Sequence, residues 1–172
     1  MAAPFFEGKA ACCFTGHRPG ALPDENSGGM ALLKLLLART VQEAAAAGVT
    51  TFLCGGAEGF DTLAAEAVIA VRADYPGLRL VLALPSRNFL SGRSLSERRR
   101  AENILQAADE AVYASEADNS AIAMKTRNRY LVDHADCCVS YLTKSRGGTL
   151  YTANYALSAG IPVKNLANEL KC

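Results

Sequence analysis

CFTGHRP at residues 13–19 and LCGGAEGFD at residues 53–61 decide the fold. Each is an apolar stretch that breaks into a glycine-containing loop, and each loop leads toward a helical pattern. A third copy of the arrangement, CCVSYLTKSRGGT, occupies residues 137–149. Strand–loop–helix units of this kind build open α/β sheets, whose ligands sit outside the carboxyl ends of the strands. Three such loops point to a pocket for a phosphorylated molecule. They do not say what is done to it.

Outward from these loops, strand and helix patterns alternate along the whole chain. The prediction is an α/β protein with an open, mostly parallel sheet and helices on both faces. Strands are expected at residues 10–15, 51–54, 79–84, 111–114, 137–142 and 161–165, and helices at 30–47, 60–74, 94–108, 122–134 and 149–159. In the first helix Met30, Leu33, Leu37, Val41 and Ala44 recur at helical spacing and Gly48 supplies the stop. Ser94 and Glu97 have the spacing of a capping box. Continuous apolar runs, rather than alternating ones, fit strands covered on both faces.

The length, 172 residues, suits a single domain spanning 1–172. Half the residues are hydrophobic and the formal net charge is +1, so no global bias toward polyanions exists and nucleic acid is not an expected partner. The start, MAAPFFEGKAACC, lacks the basic stretch and apolar core of a signal peptide. No apolar run approaches the roughly 20 residues that span a bilayer. The expectation is a cytoplasmic protein without a membrane partner. Cys12, Cys13, Cys54, Cys137 and Cys138 lie in or beside apolar strand patterns, where free cysteine acts as a small hydrophobe. Neighbours on a strand point to opposite faces, so Cys12–Cys13 and Cys137–Cys138 are poor disulfide or metal pairs. No zinc-type cluster is present and no metal is expected. Cys172 is expected to be exposed and incidental.

The candidate ligand-binding residues follow from the loops. Thr15, Gly16, His17 and Arg18 end the first strand. Gly16 permits close backbone approach, while His17 and Arg18 are suited to phosphate or a base. Gly55, Gly56 and Gly59 form a turn feeding a helix, which aims free N–H groups at one spot and favours an anion. The spacing is neither that of a P-loop nor that of the dinucleotide fingerprint. Asp61 either caps that helix or accepts ribose hydroxyls. Glu66, further in, is expected on a solvated face. Gly147, Gly148 and Thr149 make a turn with Thr149 as N-cap, and phosphate binding uses the same N–H groups. In MKTRNRYLVD, residues 124–133, a solvated basic face is the default, yet Arg127 is singled out for bidentate bonding, with Asn128 beside it. The run Arg98–Arg100, flanked by Glu97 and Glu102, reads as a solvated helix face. His134 reads as a helix cap.

CCFTGHRP at 12–19, GGAEGFD at 55–61 with AAE at 64–66, TRNRYLVDHAD at 126–136 and RGGTLYTANYA at 146–156 resemble, in this order, the YpsA-type branch of the SLOG superfamily. That superfamily also holds the DNA-processing protein DprA and the Lonely Guy phosphoribohydrolases. The resemblance runs from about residue 11 to residue 166. It implies a Rossmann-like domain, a nucleotide-derived ligand, no required cofactor, self-association as a dimer or higher homo-oligomer, and a role as a bacterial sensor or regulator. Lonely Guy enzymes remove a base from a nucleoside monophosphate, using an Arg-Lys pair on a helix, then PGGxGT followed by glutamates. Arg127 matches the arginine, Asn128 stands in the lysine's place, and Gly147, Gly148 and Thr149 match the loop. Tyr151 and Thr152 stand where glutamates would follow. An N-glycosidase needs a carboxylate, so Arg127, Asp61 and Glu66 are the candidate catalytic residues of the alternative reading, a hydrolase of nucleotide N-glycosidic bonds. Single-stranded DNA binding, by analogy to DprA, is a third reading. SRNFLSGRS at 86–94 replaces the Gln and Trp that relatives often carry after the third strand, so the cover of the pocket is expected to differ.

Overall fold

The structure is a computed structural model and describes residues 3–116 and 118–170, which leaves the expectation for Cys172 outside the described residues. Among the described residues, six strands alternate with five α-helices: β1 (Ala11–Gly16), α1 (Gly28–Ala46), β2 (Thr51–Cys54), α2 (Phe60–Val71), β3 (Arg79–Leu84), α3 (Leu95–Ala107), β4 (Glu110–Tyr113), α4 (Ala121–Asp133), β5 (Cys137–Tyr141), α5 (Gly148–Ser158) and β6 (Val163–Asn165). All strand pairings are parallel. The order across the sheet is β4-β3-β2-β1-β5-β6, a Rossmann-like α/β arrangement. The chain steps outward from β1 to β4, then returns to place β5 on the other side of β1. Strand order therefore reverses between β1 and β5, and the crevice at their carboxyl ends is where such sheets hold ligands.

Alternation of side chains across each strand divides the core into two layers. Cys12, Phe14, Phe52, Cys54, Leu82 and Val139 pack against α1, α2 and α3 through Leu33, Leu37, Phe60, Val68 and Ile104. Cys13, Leu53, Val81, Ala83 and Cys138 face α4 and α5 through Leu131, Val132 and Ala156. Phe14 anchors the first layer, fully buried with ring centroids 6.0 Å from Phe52 and 6.4 Å from Phe60. Burial of such a side chain stabilises the fold by about 1.5–3 kcal/mol. Among the described residues no helix is long and apolar enough to cross a membrane.

The element ends differ slightly from the sequence expectation, for local reasons. Helix α1 starts at Gly28 because Ser27 Oγ accepts the Met30 N–H at 3.1 Å. Helix α2 stops at Val71, after which Ala73 and Asp74 close a turn on the carbonyls of Ala70 and Val71. The cysteines hold an arrangement that neighbour-by-neighbour reading missed. Cys12 lies opposite Cys137 and Cys13 opposite Cys138 in the β1–β5 register. All four, and Cys54, are free and buried. Burial pushes the Cys12 and Cys54 thiols well above their ordinary range, which keeps them protonated and unreactive.

Candidate functional site

The loops after β1, β2 and β5 converge with one side of α4 on one cavity of about 590 Å³. Its wall comprises Thr15, Gly16, His17 and Arg18 from the end of β1, Ala57 and Asp61 from the glycine turn and α2, Ala121, Met124, Lys125, Arg127, Asn128 and Leu131 from α4, and Gly147, Gly148, Thr149 and Tyr151 from the start of α5. A nucleotide-sized molecule fits such a volume.

The floor is an ion pair. Arg127 is 7% exposed and Asp61 6%. Their side chains lie 3.9 Å apart, Nη1 to Oδ2. Arg127 also donates to the Gly55 carbonyl and, through Nε, to Asn128 Oδ1 at 2.7 Å. Asp61 accepts the Ala57 N–H at 3.2 Å. Burial pushes the Asp61 carboxyl up and the Arg127 guanidinium down, while the charge of each opposes the shift of the other. Gly55 makes this geometry possible. A Cβ there would lie 2.5 Å from Arg127 Nη1 and 2.7 Å from Asp61 Oδ2.

A second set of contacts ties the loops together. Phe60 N donates to the His17 carbonyl at 3.1 Å. Gly59, at φ +92°, lets the turn pass so close that a Cβ would sit 2.7 Å from that same carbonyl. On the other side Thr143 N donates to His17 Nε2 at 2.9 Å. That bond requires an unprotonated Nε2 and leaves the ring proton on Nδ1. Burial, assisted by the charge of Lys144, pushes the imidazole pKa below its ordinary value. His17 is thus a neutral strut between the β1 and β5 loops.

The helix caps separate into two kinds. Ser27, Ser94 and Ser120 cap α1, α3 and α4 with side-chain hydrogen bonds. Helices α2 and α5 begin after Gly59 and Gly147, and neither has a side-chain cap. The first N–H groups of a helix lack intrahelical partners, and the helix dipole favours an anion beside them. Three helices reach the cavity wall with their first turns, and two of them, α2 and α5, are the uncapped ones, while α4 carries the Ser120 cap.

Most of the sequence-derived residues meet in this cavity, and four do not. Glu66 points away: its carboxylate takes Arg100 Nη2 at 2.8 Å, and it borders a separate hollow with Ile69 and Asn103. As a catalytic candidate Glu66 is therefore corrected, because α3 packs on the face of α2 that carries it. Asp61 is left as the only carboxylate in the cavity wall among the described residues. Gly55 and Gly56 border an adjoining hollow rather than the main cavity. Gly59 serves the close contact with His17. Thr149 is not the N-cap of α5, since Gly147 takes that position and Thr149 is buried in the first turn. His134 does end α4, with Nδ1 2.9 Å from the Tyr130 carbonyl oxygen. Lys125 and Tyr151 were missed as wall residues. Tyr151 lies three residues after Gly148, one turn further along α5, a spacing that could have revealed it.

The fold and site define an open parallel α/β domain with a cavity at its topological switch point. The chain belongs to the YspA SLOG family, YpsA, whose family model matches residues 12–160. It is 27% identical over 116 residues to the SPbeta prophage-derived protein YoqJ of Bacillus subtilis, covering 61% of this chain and 68% of that protein. Its fold is similar to DNA processing protein A from Helicobacter pylori, a protein with a single-stranded DNA binding mode (TM-score 0.65, 19% identity, 94% of this chain and 71% of that one). A similar likeness holds to DprA from Streptococcus pneumoniae (TM-score 0.59, 17% identity, 87% of this chain and 48% of that one).

Proposed function

We propose that this domain binds a nucleotide or nucleotide derivative, as a sensor or regulator, with its phosphate on the amino-terminal turn of α5 and its base and sugar toward Met124, Leu131 and Tyr151. One observation carries the reading: of the three helices whose first turns reach the cavity, α2 and α5 have no side-chain cap, so their first N–H groups are left for a ligand. Arg18 stands at the rim, exposed and without a side-chain hydrogen bond or ion pair among the described residues. Family membership supports the same reading. The test is thermal melting of the purified protein with nucleoside mono-, di- and triphosphates, NAD and ADP-ribose, alongside Arg18→Gln. A ligand at about a hundred times its dissociation constant adds about 2.7 kcal/mol, or roughly 5–10 °C at this chain length. The expected result is a selective shift that shrinks in the variant. Melting curves indifferent to every one of these compounds would remove the proposal.

A specific observation favours single-stranded nucleic acid as the second reading. The Tyr151 and Tyr155 rings lie nearly parallel, 8° apart in plane with centroids at 6.4 Å. Lys125 stands 5.5 Å over Tyr151, Arg129 stands 6.0 Å over Tyr155, and Arg129 Nε donates to Tyr151 Oη at 2.7 Å. Aromatic rings flanked by cations suit stacked bases. Retention of labelled single-stranded DNA that falls steeply with salt and is lost in Tyr155→Ala would establish it over the first.

A further inference from the structure

The main cavity does not end at Arg127. A side compartment of about 280 Å³ adjoins it, and Arg18, Ala57, Met124 and Arg127 border both spaces. Its remaining wall comes from the glycine turn after β2 and from the segment after β3, through Glu58, Phe89 and Arg93. Arg93 borders only this compartment. Its side chain is 9% exposed and is held in place from three sides: Nη2 donates to the Gly56 carbonyl at 2.7 Å, Glu58 lies at 3.8 Å, and the Phe89 ring at 5.5 Å.

Three arginines therefore border the side compartment, and two of them, Arg18 and Arg127, border the main cavity as well. Arg18, Arg93 and Arg127 are close enough that the charge of Arg18 opposes protonation of both others, and the charge of Arg93 opposes that of Arg127. Facing them are only two carboxylates, Glu58, 3.8 Å from Arg93, and Asp61, 3.9 Å from Arg127. Positive charge is thus in excess at the junction. A single phosphate on the first turn of α5 leaves Arg93 unused, because Gly147, Gly148 and Thr149 border only the main cavity.

We infer that the ligand carries two adjacent phosphates, as a nucleoside diphosphate or a molecule built on one, with the nucleoside in the main cavity and the distal phosphate held by Arg18 and Arg93 in the side compartment. This deepens the nucleotide reading above and rests on it. It gives the loop at residues 86–94 a chemical task, namely counting phosphates.

Titration calorimetry of the wild type with the adenine, guanine, cytosine and uracil nucleoside mono- and diphosphates tests it, beside Arg93→Gln and Arg93→Lys. For the bound base, the diphosphate is expected to bind about ten-fold or more tighter than the monophosphate, the scale of one charge-assisted contact. Arg93→Gln is expected to abolish that preference and leave monophosphate affinity within about two-fold, since Arg93 does not border the main cavity. Arg93→Lys is expected to keep part of the preference. Should Arg93→Gln fail to fold, Arg93→Lys and Arg18→Gln report the same ratio. Equal affinities for mono- and diphosphate in the wild type, or a ratio that the folded variants leave unchanged, would overturn the inference while the nucleotide reading stands. If the wild type bound none of these nucleotides, nor NAD nor ADP-ribose, both would fall.

Discussion

Arg127 and Asp61 form an ion pair beneath the candidate site, 3.9 Å apart, with side chains only 8% and 7% exposed. Each is the counter-charge of the other in a place water scarcely reaches. Arg127→Ala would leave the Asp61 carboxylate buried without a partner, a situation that costs about 3–5 kcal/mol. The variant is therefore expected to lose that much stability in urea unfolding, over and above any loss of ligand. A double-mutant cycle with Asp61→Asn reads the coupling. Single costs that simply add would show that the pair does not act as a unit.

Gly55 can be tested without touching either charge. Gly55→Ala puts a methyl group 2.5 Å from Arg127 Nη1 and 2.7 Å from Asp61 Oδ2. One of the two must move, at a cost of about 1–3 kcal/mol, the usual range for overpacking. Gly77→Ala is the control, since nothing lies within 4 Å of its would-be Cβ. Melting temperatures are expected to fall for Gly55→Ala and hold for Gly77→Ala. Matching curves for the two would mean that the floor is softer than its geometry implies.

The strands and helices were legible because apolar periodicity and glycine stops act over short stretches, as in α1, where Met30, Leu33, Leu37, Val41 and Ala44 are all buried as their spacing implies. Arg127 was partly legible for the same reason. Lys125 and Arg129, four residues apart, share a helix face, whereas Arg127 lies about 200° round from Lys125 at 3.6 residues per turn. The solvated-face default thus fitted its neighbours and not Arg127 itself, which is buried. What stayed hidden depended on distant parts of the chain. The direction of Glu66 was set by Arg100, 34 residues away. The side compartment needed Arg93 to meet the Gly56 carbonyl, 37 residues away. The Cys12–Cys137 and Cys13–Cys138 opposition came from strand register alone, which no local pattern encodes.

His17 makes the fold sensitive to pH. Its folded pKa lies below the ordinary value of about 6.5, chiefly through burial. A base shifted downward contributes stability that is present above its unfolded pKa and is lost as pH falls through the folded one. Protonation also removes the acceptor for the Thr143 N–H. Stability is thus expected to fall as the pH drops below about 6.5. His17→Gln, which does not titrate, should show a shallower fall. Urea midpoints for both proteins at near-neutral and mildly acidic pH decide it, and parallel declines would exclude His17 as the group responsible.

Glu66 lies on the partly solvated face that its sequence position predicts, which takes it out of the set of catalytic candidates. The helix that brings Asp61 into the cavity turns Glu66 outward to a partly exposed pair with Arg100, whose side chains are 38% and 29% exposed. Pairs of that exposure contribute about 0–1 kcal/mol. Glu66→Gln keeps the side chain's shape and removes its charge, so it is expected to cost no more than that in unfolding free energy. Ligand-induced thermal shifts should match the wild type, whereas Asp61→Asn, in the cavity wall, should alter them. If the protein also releases a base from nucleotides, Glu66→Gln should leave that rate unchanged and Asp61→Asn should lower it. A rate that instead depended on Glu66 would require α2 to turn relative to α3, breaking the Arg100 contact to bring the carboxylate round to the ligand.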